Sequence, residues 1–194
     1  MSQQKDYAGE YYLKGVMETA AGIKLNEDST FEFFYSYGAA DRQGSGSWII
    51  KENKIILTSI RKPGNYFRLL KHEIQPGEKI TVKVTDPNAD ALRFVHTGIL
   101  NGDKFIQGEV DNTGKAVFEK QPYDSIALMF AMSPENTMFY KPSKAGENYF
   151  EFAIEPWIME VIFDNTEFKI DSEKMIGQHL IFGEEDVFFE KHKK

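Results

Sequence analysis

From Phe31 to Tyr37 aromatic side chains alternate across the chain. Phe31, Phe33, Tyr35 and Tyr37 share one face, while Glu32, Phe34 and Ser36 take the other. A period of two is the pattern of a half-buried β-strand, because successive Cβ atoms leave the pleat on opposite sides. The same alternation returns at Ile80, Val82 and Val84, at Phe150, Phe152 and Ile154, and at Phe168 and Ile170. Turn-forming clusters separate these runs, among them Asn26-Glu27-Asp28-Ser29, Pro76-Gly77, Asn101-Gly102-Asp103, Asp111-Asn112-Thr113-Gly114 and Gly183-Glu184-Glu185-Asp186. The best helical candidate, Ser172 to Ile176, amounts to a turn or two. Strand-sized segments punctuated in this way predict an all-β protein.

The alternation also suggests a division of the chain. Residues 7–62 read as a meander, and residues 147–192 resume its style, with strands expected at Tyr149–Glu155 and Ile158–Phe163. Between them lie about seven strands, enough for a β-sandwich. Ile60-Arg61-Lys62-Pro63-Gly64 and Lys141-Pro142-Ser143-Lys144-Ala145-Gly146-Glu147 read as linkers. The expected organisation is a barrel of residues 1–64 plus 143–194 with an inserted sandwich of residues 65–142. One continuous β domain is the competing arrangement.

Composition narrows the function classes. With 23 Lys and Arg against 30 Asp and Glu, the net charge of −7 disfavours nucleic acid and anionic membrane surfaces as partners. The lack of cysteine removes disulfides, thiol catalysis and thiolate metal sites. The apolar run Ile126 to Met132 is too short to span a bilayer. The polar start Met1-Ser2-Gln3-Gln4-Lys5-Asp6 reads as cytoplasmic, or as periplasmic or exported if Met1 replaces a removed signal.

Residues 9–57 carry Gly9-Glu10-Tyr11, then Asp28-Ser29-Thr30-Phe31, then Gly46-Ser47-Trp48. This order resembles the opening of lipocalin-like (calycin-type) barrels, which pair an early Gly-x-Trp with an Asp-Gly-x-Phe hairpin and a later Gly-x-Trp strand. Tyr11 stands in place of the first Trp, and Ser29 in place of Gly. In the centre, Val82-Lys83-Val84-Thr85-Asp86, Asp111-Asn112-Thr113-Gly114 and Ala116-Val117-Phe118 resemble carboxypeptidase-regulatory or transthyretin-like sandwiches. The two resemblances together imply an antiparallel meander barrel carrying an Ig-like or transthyretin-like sandwich. Neither brings catalytic residues with it.

The stretch Tyr35 to Trp48 combines aromatic rings, the neighbouring charges Asp41 and Arg42, and three glycines. Rings suit an apolar or sugar face, and a guanidinium fork suits a carboxylate. Tyr35, Tyr37, Asp41, Arg42 and Trp48 are therefore expected to border one cavity, with Asp41 and Arg42 in a loop. Glu18, set among small and apolar residues, is expected to join them as an inward carboxylate. The bland alternative is a hairpin whose charges pair with each other and whose glycines take positive φ.

Other chemistry finds little footing. Asp86-Pro87-Asn88-Ala89-Asp90 imitates the start of a calcium loop, but Ala91 replaces its glycine and Thr97 its final glutamate. His72, His96, His179 and His192 lack ligand spacing, and neither a nucleophile elbow nor a phosphate-cradling loop is present. No metal, cofactor or catalytic residue is assigned. The expectation is a non-enzymatic binding protein whose barrel takes a small apolar, aromatic or saccharide ligand. The alternatives are an interaction module with a packed barrel and a protein partner, and a glycan-directed hydrolase using two carboxylates across a cleft.

Overall fold

The computed structural model describes residues 6–60, 64–183 and 185–193. The first five residues, Arg61 to Pro63 of the first expected linker and Glu184 of the last expected turn lie outside them. The protein is all-β. It divides into two compact units, one of Met1–Lys62 with Met159–Lys194 and the other of Pro63–Ile158.

The first unit is a closed eight-stranded antiparallel barrel. Its first five strands are β1 (Gly9–Lys14), β2 (Thr19–Leu25), β3 (Thr30–Tyr37), β4 (Ala40–Lys51) and β5 (Lys54–Ser59). The second unit contributes β6 (Phe67–Glu73), β7 (Lys79–Thr85), β8 (Val95–Asn101), β9 (Lys104–Gly108), β10 (Lys115–Glu119), β11 (Ser125–Phe130), β12 (Met138–Tyr140) and β13 (Tyr149–Ile154). Three strands complete the barrel: β14 (Thr166–Asp171), β15 (Lys174–Gly177) and β16 (Val187–Lys191). Each barrel strand pairs with its neighbour along the barrel, β14 with β5 across the interruption, and β16 closes on β1.

Short hairpins fix the register. Glu52 and Asn53 join β4 to β5 with φ of 51° and 62°, the double left-handed geometry that matches strand twist. Ser172, expected in a helical turn, instead opens the two-residue link between β14 and β15, with Asp171 opposite Lys174. A cross-strand ladder satisfies more backbone groups there than an isolated helical turn could.

Inward positions obey the period of two. Ile23, Leu25, Phe31, Phe33, Trp48 and Leu57 all enter one buried cluster. Phe163 joins them from the segment before β14, edge-on to Phe31 and Phe33 with ring centroids 5.1 Å away in each case. The barrel is thus filled by its own aromatic and aliphatic side chains. Full burial of such a ring contributes roughly 1.5–3 kcal/mol.

The second unit holds two four-stranded sheets, ordered β10-β7-β13-β6 and β12-β11-β8-β9. The expected barrel strand Tyr149–Glu155 belongs here as β13, parallel to β7 and antiparallel to β6. Alternation told which face of that segment is buried, but not which strands receive it. The other expected strand, Ile158–Phe163, is irregular and makes only the isolated bridge of Gln43 with Glu160. Tyr140 of one sheet packs its ring edge-on against Phe150 and Phe152 of the other. The calcium-like run forms an Asx turn, with Asn88 capping the 3-10 helix Ala89–Phe94 by accepting from the Asp90 amide. No helix among the described residues is long and apolar enough to cross a membrane.

Candidate functional site

The six residues expected around one cavity occupy different places. The expected loop from Gly38 to Ser45 is a two-residue turn followed by the start of β4, so Asp41 and Arg42 lie in the ladder opposite Ser36 and Tyr35. Gly38 takes φ of 57°, which closes that turn without a longer loop. Asp41 points outward and accepts from the Ser36 hydroxyl at 2.6 Å. Arg42 points inward, is 3% exposed, and its Nε donates to the Met159 carbonyl at 3.2 Å. Tyr35 is half-buried against Phe182, with ring centroids 5.7 Å apart. Tyr37, at the strand end, is 50% exposed.

Glu18 and Trp48 depart furthest. Glu18 sits in the β1–β2 turn with φ of 58°, exposed rather than inward. Trp48 is fully buried, and its Nε1 donates to the Asn26 carbonyl at 3.0 Å. Six residues separate Arg42 from Trp48 along β4, about 20 Å of strand. A small ligand cannot touch both. Phe163 and the Val161 backbone occupy the interior beside Gly44, where a Cβ would stand 2.6 Å from the Val161 oxygen.

An open concavity lies elsewhere in the barrel unit. It measures about 730 Å³ and runs along the outward-facing side of β1 to β4, bounded by residues 160–162. Its floor follows from register alone. Tyr12 opposes Gly22, Gly22 opposes Phe34, Phe34 opposes Gln43, and Gln43 bridges to Glu160. One step along the strands, Glu10, Lys24, Glu32 and Ser45 form a second outward row. The groove therefore has an aromatic row beside a charged one.

Gly22 makes the aromatic row possible. A Cβ there would lie 2.5 Å from the Phe34 ring and 3.1 Å from Tyr12, so the missing side chain is the seat in which the rings rest. Phe34 and Tyr12 meet edge-on with centroids 6.3 Å apart, and Phe34 remains 43% exposed. The Tyr12 hydroxyl donates to Glu10 at 2.9 Å, and that hydrogen bond to a carboxylate raises the phenol's pKa. Lys24 lies 3.7 Å from Glu32. Three carboxylates against one ammonium leave the groove acidic.

Sequence reasoning passed over Tyr12, Phe34 and Gln43. The signal was present in Phe34, an aromatic on the otherwise polar face of the Phe31 to Tyr37 alternation. Comparison with family models, with curated proteins and with solved structures gives no match. Among the described residues no cluster of three or more His, Asp or Glu side chains could hold a metal ion.

Proposed function

We propose that this chain is a non-enzymatic binding protein whose small ligand lies in the outer groove of the barrel rather than inside it. The observation that carries this reading is the pairing of a filled interior with an open aromatic groove of about 730 Å³. Binding sites are concave, with apolar surface and a few convergent polar groups. Phe34 and Tyr12 supply the former, and Gln43, Ser45 and the carboxylates the latter. The next-neighbour order of the barrel strands supports a lipocalin-like scaffold. The ring contacts of Tyr140 with Phe150 and Phe152 support a sandwich in the second unit.

The test is a screen of neutral ring-bearing fragments against the ¹⁵N-labelled full chain. Amide shifts should cluster on β1 to β4 and fade in Phe34→Ala. Fragments that instead shift Tyr35, Arg42 and Phe182 would return the site to the barrel mouth.

A second reading, a protein-interaction module, rests on the tips of two adjacent hairpins. Met17 is 88% exposed and Val16 40%, and Tyr37 stands beside them through the pairing of Thr19 with Tyr37. Exposed apolar tips of this kind suit a partner surface. Under this reading, Met17→Asp abolishes pull-down of a partner that the groove variants still capture.

A further inference from the structure

Resting on the groove reading, we infer that the ligand is a short neutral or amino-bearing saccharide, seated on Phe34 and Tyr12 with its hydroxyls turned to the groove carboxylates. The shape of the groove points first to an extended ligand. The row from Tyr12 through Gly22 and Phe34 to Gln43 crosses four strands, about 14 Å at the usual strand spacing. That is an extended platform, better suited to an oligosaccharide than to a single ring.

Chemistry then selects among ligands with a flat face. A wholly apolar ring would desolvate Glu10, Glu32 and Gln43 without returning hydrogen bonds, which is costly. An acidic ligand would meet Glu10, Glu32 and Glu160 with only Lys24 to offset them, and Lys24 already lies against Glu32. A sugar avoids both penalties. Its C–H face covers the Phe34 ring, and its hydroxyls donate to carboxylate and amide oxygens, which accept but need not be neutralised. An ammonium on the sugar adds charge complementarity that salt would weaken. The net charge of −7 acts in the same direction, against polyanionic glycans.

The seat at Gly22 gives the site its rigidity. Because Phe34 lies where a Cβ would be, the ring rests on the β2 backbone as well as against Tyr12. A pre-positioned ring loses little conformational entropy on binding.

The experiment titrates the ¹⁵N-labelled full chain separately with cellotetraose, a glucosamine tetramer, a galacturonate tetramer and indole. Saccharide shifts should map to the outward positions of β1 to β4 and saturate in the millimolar range or below. The glucosamine tetramer should bind more tightly than cellotetraose at low salt and lose that advantage at about 0.5 M. The galacturonate tetramer should leave the groove unshifted. Phe34→Ala should weaken cellotetraose about threefold or more. Should that variant fold poorly, Gln43→Ala, at an exposed position, must weaken binding measurably. Indole shifts in the groove without saccharide shifts would overturn the sugar assignment and leave the groove reading standing. Silence of all four probes at the groove would overturn both. Equal binding of the galacturonate tetramer, or wild-type affinity in both variants, would also overturn the inference.

Discussion

The two units of this protein close their sheets in opposite ways. In the barrel, every pairing joins strands adjacent in the order around it, and the closure of β16 on β1 leaves no edge. In the second unit, β13 crosses to lie parallel to β7, and β10, β6, β12 and β9 end their sheets. The barrel can rely on one aromatic core because closure removes the unpaired strand edges that invite misassociation. The second unit also buries apolar side chains, among them Val82, Ile126, Phe150 and Phe152, and adds polar anchors at its loops. Glu147 is 4% exposed and accepts hydrogen bonds from the Ser143 and Lys144 amides at 3.2 and 3.4 Å, with the His72 ring at 2.6 Å. Its own backbone oxygen accepts from the Tyr123 hydroxyl. Ion pairs add to these contacts, Lys83 with Glu151 at 3.0 Å and Arg68 with the buried Glu155 at 2.7 Å. The contrast teaches that both units are held by apolar alternation, and that the crossed topology adds a buried carboxylate anchor at a loop.

The largest effect is expected from Phe163→Ala. Phe163 is 2% exposed and touches Phe31, Phe33 and His179, so the loss should destabilise the barrel by about 3–5 kcal/mol. Urea unfolding followed by Trp48 fluorescence in a Trp157→Phe background reports the barrel alone. A loss below about 1 kcal/mol would show that the interior is not held by that ring.

Next in size is Glu147→Ala, which leaves the Ser143 and Lys144 amides without their acceptor. The expected cost is about 1–3 kcal/mol, confined to the second unit and read from amide exchange in β6 and β13. Burial alone would raise the Glu147 carboxyl, but the His72 ring and the Lys144 and Ser143 amides outweigh it, so its pKa falls below the ordinary value. A carboxyl depressed on folding stabilises fully above the unfolded value, about 4.3, and that contribution is lost as pH falls through the folded value. Acidification from pH 6 to 3 should therefore loosen the wild-type loop 141–148. In Glu147→Ala the same titration should leave that loop's protection, taken relative to the intrinsic exchange rate at each pH, unchanged.

Arg42→Met tests whether the barrel end uses a polar anchor as well. The change removes the donor to the Met159 carbonyl but keeps much of the side-chain volume, and about 1–2 kcal/mol should be lost by thermal unfolding. A neutral result would show that this anchor adds nothing to the barrel's stability. The smallest effect belongs to the surface. Lys54→Ala removes an exposed pair with Glu167 at 2.5 Å and should leave the thermal unfolding midpoint nearly unchanged.

Much of the barrel was legible in the chain. Phe31, Phe33, Phe168 and Ile170 announce their inward faces by spacing, and each is buried as the spacing implies. The candidate site was far less legible. Arg42 and Asp41 read as residues of the loop that follows Tyr37, yet a two-residue turn at Gly38 makes the strand begin at Ala40. Glu18 read as inward because its neighbours are small, yet its positive φ places it in a turn. Tyr12, Gly22, Phe34 and Gln43 lie in four separate strands, and no local pattern reveals that they share a row.

What the sequence determined by itself is the class and the faces: a cysteine-free, acidic, all-β chain with strands whose buried side follows a period of two. Those properties are local, set by φ/ψ preferences, turn chemistry and the pleat. Only the tertiary structure decided which strands meet. It assigned Tyr149–Ile154 to the second unit, sent Phe163 into the barrel, and set Tyr12 beside Gly22 and Gly22 beside Phe34. The physical reason is that strand pairing is non-local. Backbone hydrogen bonds are chemically the same for every partner, so the choice rests on how all the side chains pack together.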